Sequence, residues 1–147
     1  MAEINVRKAE HISAAINEDV NFKAKTTGFE QIEFVHRATT SLALSDVNAG
    51  IELFGKHLEA PIIIGAMTGG FKGAERINEK LAKLAAELGL GMGVGSQRAA
   101  LENPKYEYTF SVARKAGGEI FLMGNIGVAQ LKKYGLNGAK RAVDMIN

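Results

Sequence analysis

The sequence predicts an α/β fold with a parallel sheet, and three of its features support this prediction. From residue 61 onward, short apolar segments rich in β-branched residues or glycine alternate with segments of helical periodicity. The connections between them are short, and no hairpin signal stands between consecutive strands. Strands joined through helices in this way run parallel, with right-handed crossovers. The predicted order of elements is therefore β-α-β-α-β-α.

Each strand is followed by a helical pattern. Strands are predicted at residues 61–67, 90–95 and 119–123. Helices are predicted at residues 73–88, 103–116, 128–134 and 138–146. The first helix has an apolar stripe at helical spacing, made of Ile77, Leu81, Leu84 and Leu88. Asn103 and Pro104 open the second helix, and Phe110 and Val112 point inward from it. The alternating glycines of the second strand indicate that backbone or a ligand approaches closely there.

Residues 1–60 are predicted to form an amino-terminal extension, which precedes the βα units of residues 61–147. The extension is expected to hold a helix at about 6–17, a strand at 30–36 and a hairpin at 51–58 that turns at Gly55 and Lys56. Segments of this kind commonly plug the bottom of a barrel or cover its mouth. A lid or plug role is therefore expected.

The composition is that of a folded domain, with 46% hydrophobic and 23% charged residues and a formal net charge of +2. The longest apolar stretch, residues 60–67, is far shorter than the ~18 residues of a membrane-spanning helix. The first residues include no secretory apolar region. Basic residues are dispersed, so no nucleic-acid partner is expected. The absence of cysteine excludes disulfides and thiolate chemistry and fits a cytoplasmic location.

The loops after the three predicted strands carry small or hydrogen-bonding residues, and they are residues 66–70, 95–98 and 124–127. They are expected to meet at one edge of the sheet, as a shared ligand pocket requires. The backbone of the first loop suits an anion or the edge of a flat heterocycle, or forms a plain turn. Arg98 could bind a phosphate or pair with Glu102 one turn later. Asn125 could bind a ring edge or form a turn.

A second group of cations lies early in the chain. Arg7, Lys8 and His11 share one helical segment, where they could close over a diphosphate or form a solvated helix face. His36 and His57 have no partner at a metal-binding spacing and are interpreted as structural. No Ser-His-Asp order, HExxH or Walker motif is present, so hydrolase and NTPase chemistry have no support.

Together these segments resemble the FMN-dependent type 2 isopentenyl-diphosphate isomerases. The matching residues are 7–12 (RKAEHI), 35–37 (VHR), 61–70 (PIIIGAMTGG), 87–104 (ELGLGMGVGSQRAALENP), 125–127 (NIG) and 130–131 (QL). They follow in order along nearly the whole chain, and the stretch from Gly89 to Pro104 is the most specific. The family fold is a (β/α)8 TIM barrel, of which this chain resembles the amino-terminal part, with about three βα units.

The resemblance implies an activity and two sets of site residues. Family members interconvert isopentenyl and dimethylallyl diphosphate with reduced FMN as the acid/base, and they use Mg2+ and NAD(P)H. The flavin would be contacted by Ala66, Met67, Thr68, Ser96 and Asn125. The diphosphate would be held by Arg7, Lys8, Ser96, Gln97 and Arg98, with His11 helping to close the lid. No catalytic side chain and no metal ligand is implied within this chain.

Family members are more than twice as long as this chain, and at full length they form homotetramers or octamers. A (β/α)8 barrel closes only with all of its strands. We therefore expect the 147-residue chain alone to bind FMN weakly or not at all and to be inactive. Two other assignments stay open. One is part of another FMN-dependent TIM-barrel oxidoreductase, of the 2-hydroxy-acid oxidase type, and the other is a non-catalytic piece that docks onto another chain.

Overall fold

A computed structural model describes the backbone of residues 2–147 and the side chains of residues 6–147. The helices are α1 (Ala2–Asn17), α2 (Ala74–Glu87), α3 (Arg98–Glu102), α4 (Tyr108–Gly117) and α5 (Val128–Asp144). The strands are β1 (Ile51–Leu53), β2 (Lys56–Leu58), β3 (Ile63–Ile64), β4 (Gly91–Gly93) and β5 (Leu122–Met123). Among the described residues, no helix combines the length and the apolar character needed to cross a bilayer.

The chain divides into two compact units, Met1–Asn48 and Ala49–Asn147. The predicted hairpin therefore belongs to the second unit, although the sequence groups it with the extension. In the first unit, α1 begins earlier than predicted and ends at the predicted residue. The strand predicted at 30–36 is wrong, because irregular backbone follows a single 3-10 turn at Phe29–Gln31. Phe34 and Val35 are exposed, so the apolar alternation buries neither face.

In the second unit, β3, β4 and β5 form a parallel sheet in that order, which confirms the predicted direction of the strands. A Cβ atom built on Gly91 would lie 3.1 Å from side-chain atoms of both Ile63 and Phe121. One built on Gly93 would lie 3.1 Å from the Cβ of Ala66. The close approach that the glycines predict is therefore made by the neighbouring strands and the loop after β3.

The core joins α2 and α4 to β4 and to the residues after α5, with Met92, Val94, Phe110 and Ile146 among its buried members. The buried face of α2 consists of Ala74, Asn78, Ala82 and Ala85. The predicted apolar stripe lies beside this face, and its members Leu84 and Leu88 remain 43% and 52% exposed. Small side chains let α2 approach α4 closely. Close packing therefore determines which face of α2 is buried more than the hydrophobicity of its residues does.

Two helical segments differ from the prediction. Asn103 caps its turn as predicted, because its Oδ1 accepts a hydrogen bond from the Lys105 backbone N–H at 3.1 Å. A 3-10 turn at Pro104–Tyr106 then precedes α4, and the short α3 before Asn103 was not predicted. The two last predicted helices form one element, α5, which is interrupted at Gly135 (φ 61°, ψ −159°) and ends at Asp144, before the predicted end at residue 146.

The hairpin lies at the amino-terminal edge of the parallel sheet. Leu53 pairs with Lys56, so the turn consists of Phe54 and Gly55, one residue earlier than predicted. Both turn residues have positive φ, as a two-residue type I′ turn requires. Phe54 stacks on Phe121 with ring centroids 6.0 Å apart, and Lys56 Nζ donates to Glu119 at 2.8 Å. Phe121 and Glu119 precede β5, whereas the loops predicted to form the ligand pocket follow the strands. The lid or plug role stays a prediction.

Candidate functional site

The loops that follow β3, β4 and β5 meet at the carboxyl edge of the sheet, as predicted. The Gly95 N–H donates to the Thr68 carbonyl at 2.8 Å and thereby joins the first loop to the second. The Gln97 N–H donates to the Asn125 carbonyl at 2.9 Å and joins the second loop to the third. Backbone hydrogen bonds therefore hold all three loops in one arrangement.

Gly95 is the point of closest contact between the first two loops. A Cβ atom at this position would lie 2.6–2.7 Å from the backbone N, C and O atoms of Thr68. Backbone on both sides leaves no flexible side chain that could move away. The last of the alternating glycines thus permits a backbone-to-backbone contact, and the sequence had left open whether backbone or ligand filled this space.

Two buried polar side chains on the helices hold the loop after β3. Asn78 of α2 donates from Nδ2 to the carbonyls of Thr68 at 3.2 Å and Thr109 at 2.7 Å. The Thr109 hydroxyl accepts from the Gly70 N–H at 2.8 Å and donates to the Tyr106 carbonyl at 2.7 Å. Neither residue was predicted from the sequence. For Asn78, the available signal was a polar residue on a helical face that otherwise carries alanine.

The exposed side of this edge combines apolar surface with unused hydrogen-bonding groups. Met67 is 81% exposed, and Ala66 and Ser96 are also exposed, whereas Thr68 is buried and Asn125 is half-buried. Within the described part of the chain, the Ser96 hydroxyl and the Asn125 side-chain amide have no hydrogen-bond partner. Apolar side chains beside a hydroxyl and an amide suit a flat heterocycle with polar edges. The residues present therefore fit an isoalloxazine ring.

Unlike the exposed Ser96 side chain, the side chains of Gln97 and Arg98 both bond to other residues of the fold. The Gln97 side chain is fully buried, and its amide hydrogen-bonds within the fold. Arg98 Nε donates to Glu102 Oε1 at 3.0 Å within α3, which is the ion-pair alternative that the spacing suggested. The contact of these two side chains with a diphosphate stays a prediction, and the burial of Gln97 does not favour it.

The remaining predicted cations lie on α1, in the unit of residues 1–48. Arg7 and His11 are exposed, and Lys8 is half-buried. Burial, together with the positive charge of Arg7, lowers the pKa of Lys8. A bound anion would offset both effects, because it would favour the charged ammonium. Contact of these residues with a diphosphate stays a prediction.

Among the residues that the structure describes, no group of three or more His, Cys, Asp or Glu side chains is placed so that it could hold a metal ion. His57 instead pairs through Nδ1 with Glu52 Oε1 at 2.9 Å across the hairpin.

Comparison with known proteins identifies the family. The sequence model of the FMN-dependent dehydrogenase family matches residues 2–105. Three curated relatives are each named isopentenyl-diphosphate delta-isomerase. The chain is 46% identical to that of Ignicoccus hospitalis over 146 residues, which are 99% of this chain and 40% of the relative. It is 46% identical to that of Synechocystis sp. over 141 residues, 95% of this chain and 40% of the relative. It is 40% identical to that of Methanosarcina barkeri over 141 residues, 96% of this chain and 39% of the relative.

The chain thus spans about two fifths of the length of the curated relatives it matches. Its family match covers the first two loops of the candidate site together with α2, and it ends before α4. The chain belongs to the FMN-dependent dehydrogenase family.

Proposed function

We propose that this chain supplies the flavin-facing wall and part of the diphosphate site of an isopentenyl-diphosphate isomerase. The observation that carries the proposal is the meeting of three loops, where the Ser96 hydroxyl and the Asn125 side-chain amide have no hydrogen-bond partner among the described residues and Met67 is exposed. The names of the relatives, at 37–46% identity, support the reaction. The substrates proposed are isopentenyl and dimethylallyl diphosphate.

In the reaction, the protein would bind the flavin and the substrate, orient them and exclude water from the site. FMN, when bound, would supply the acid–base chemistry that moves a double bond by one position. Ala66 and Met67 would cover a ring face and exclude water from it. Ser96 and Asn125 would hydrogen-bond the polar edge of the ring and fix its orientation. Mg2+ and NAD(P)H enter the proposal through the family resemblance alone.

The diphosphate is an allylic leaving group, so fixed cations would restrain it while positive charge develops on the carbon skeleton. Arg98 would have to exchange its carboxylate partner for a phosphate. Its pair with Glu102 is partly exposed, and such pairs contribute only about 0–1 kcal/mol. Bidentate contact of a guanidinium with phosphate is stronger, so the exchange is favourable. Arg7 and Lys8 would supply further positive charge.

A chimera tests this proposal. The matched segment of the Synechocystis relative is replaced by this chain, and isopentenyl diphosphate turnover is measured with FMN, Mg2+ and NADPH. We expect activity, and we expect Arg98→Ala in the chimera to raise KM about 10- to 100-fold, because hydrogen bonds to charged groups contribute about 1.5–3 kcal/mol each.

Lys83→Ala is the matched control, since Lys83 is another exposed cation that pairs with a carboxylate one turn away, at 2.7 Å from Glu79. This variant should leave KM unchanged. A folded chimera that binds FMN but does not convert the substrate would contradict the proposed reaction. Equal effects of the two substitutions would contradict the role of Arg98.

The 147-residue chain alone is expected to bind FMN weakly or not at all and to give no turnover. Within the described residues, β3 and β5 each pair along one edge only, so the sheet does not close. Isomerisation by the purified chain with FMN, Mg2+ and NADPH would contradict this expectation.

A second candidate follows from the name of the family, which is that of a dehydrogenase. Under this alternative, the site would bind a 2-hydroxy acid and not a diphosphate. The same chimera discriminates between the two, because anaerobic bleaching of its flavin by a 2-hydroxy acid would support the oxidoreductase.

A further inference from the structure

The Gln97 side chain connects two distant parts of the second unit. Its Nε2 donates to the Ala142 carbonyl of α5 at 2.7 Å and lies 3.5 Å from Met145 Sδ. Its Oε1 accepts from the Asn125 backbone N–H at 2.9 Å. The side chain is fully buried. A buried amide whose two ends are both satisfied has little freedom to move.

Gln97 holds both peptide groups of Asn125. The Gln97 backbone N–H donates to the Asn125 carbonyl, while its side chain accepts from the Asn125 N–H. Gly124 permits this contact, since a Cβ atom there would lie 2.8 Å from Gln97 Oε1. With both peptide groups fixed, the direction in which the Asn125 side chain leaves the backbone is also fixed.

We propose that Gln97 is a positioning residue of the flavin site, which acts through Asn125 and does not contact the diphosphate. The inference rests on the proposed function, because it assumes that the Asn125 amide hydrogen-bonds the flavin. It assigns α5 a part in the site, since the Ala142 carbonyl fixes the other end of the same amide. The exposed Ser96 and the buried Gln97, although adjacent, therefore serve different purposes.

The first test is independent of flavin and uses amide hydrogen exchange of the 15N-labelled chain. Gln97→Leu removes both hydrogen bonds at similar side-chain volume. The Asn125 amide should then exchange at least about tenfold faster, relative to the Val94 amide that bonds to Met123 in the sheet. Gly124→Ala keeps the Gln97 amide and the Asn125 N–H but would push them apart, so it should give the same result. This variant provides the test if Gln97→Leu does not fold.

Arg114→Met is the matched control. Arg114 also bonds backbone carbonyls, those of Ile146 at 3.1 Å and Ile120 at 3.0 Å, which lie outside the three loops. The Arg114→Met variant should lower the stability of the second unit without changing the ratio of the Asn125 to the Val94 exchange rate. An unchanged ratio in both Gln97→Leu and Gly124→Ala would overturn the inference.

The second test follows FMN binding through the chemical shifts of the Ser96 and Asn125 amides. Gln97→Leu and Asn125→Ala should each weaken binding about 3- to 10-fold, the range for one hydrogen bond. The double variant should be no weaker than either single variant, because Gln97 acts through Asn125. Additive losses, or an equal loss in Arg114→Met, would overturn the inference. If neither the wild-type chain nor the chimera responds to FMN while the exchange ratio changes as expected, the proposed function fails and the flavin role of Gln97 fails with it, whereas the loop contact stands.

Discussion

Replacement of Gly95 by alanine is expected to lower the free energy of unfolding by about 1–3 kcal/mol, the range for overpacking a buried position. The added methyl group would lie 2.6–2.7 Å from three backbone atoms of Thr68. Relief requires one of two loops to move, and the hydrogen bond from Gly95 to Thr68 would lengthen with it. We therefore expect the variant to lose FMN binding as well as stability.

Gly65→Ala provides the matched control, because no atom of the described residues lies within 4 Å of a Cβ atom built at that position. The two glycines lie on neighbouring strand ends, and the chemical change is identical. Denaturant unfolding of both variants measures the difference, and the Gly65 variant should stay within about 0.5 kcal/mol of wild type. Equal stability of the two variants would show that the loops do not make the close contact described.

Phe110→Ala is expected to lower the free energy of unfolding by about 3–5 kcal/mol. The ring is fully buried in the core between α2 and α4. It also packs against Gly69, where a Cβ atom would overlap it. Its removal should thus loosen the loop after β3 in addition to opening a cavity.

The control for this change is Phe34→Ala, since Phe34 is 95% exposed. We expect its free energy of unfolding to stay within about 0.5 kcal/mol of wild type. Urea unfolding monitored by far-ultraviolet circular dichroism measures this. A comparable loss for both phenylalanines would mean that the core is not organised around Phe110.

The direction of the strands and the meeting of their loops followed from the sequence, because both depend on local patterns. Strand–helix alternation requires parallel strands, and parallel strands place their following loops at one edge. The close approach at Gly91, Gly93 and Gly95 also followed from residue type. What the glycines approach was decided by neighbouring strands, which the local pattern does not specify.

Other predictions failed where long-range packing overrides local pattern. The alternation in residues 30–36 is typical of a strand, yet a strand also requires a partner to pair with. On α2 the larger apolar residues indicated one face, whereas close packing against α4 selected the alanine face. Gln97 was grouped with Ser96 and Arg98 because the three are consecutive. Its buried amide hydrogen-bonds the carbonyl of Ala142, which is 45 residues away along the chain.

The most direct test of the flavin-facing loops is a titration of the 15N-labelled chain with FMN, followed by amide chemical shifts, which detect weak binding. We expect the largest shifts in residues 66–70, 95–98 and 124–127, and we expect them to diminish in Asn125→Ala. Shifts concentrated elsewhere, or no FMN binding by either this chain or the chimera, would contradict the assignment of this edge as the flavin site.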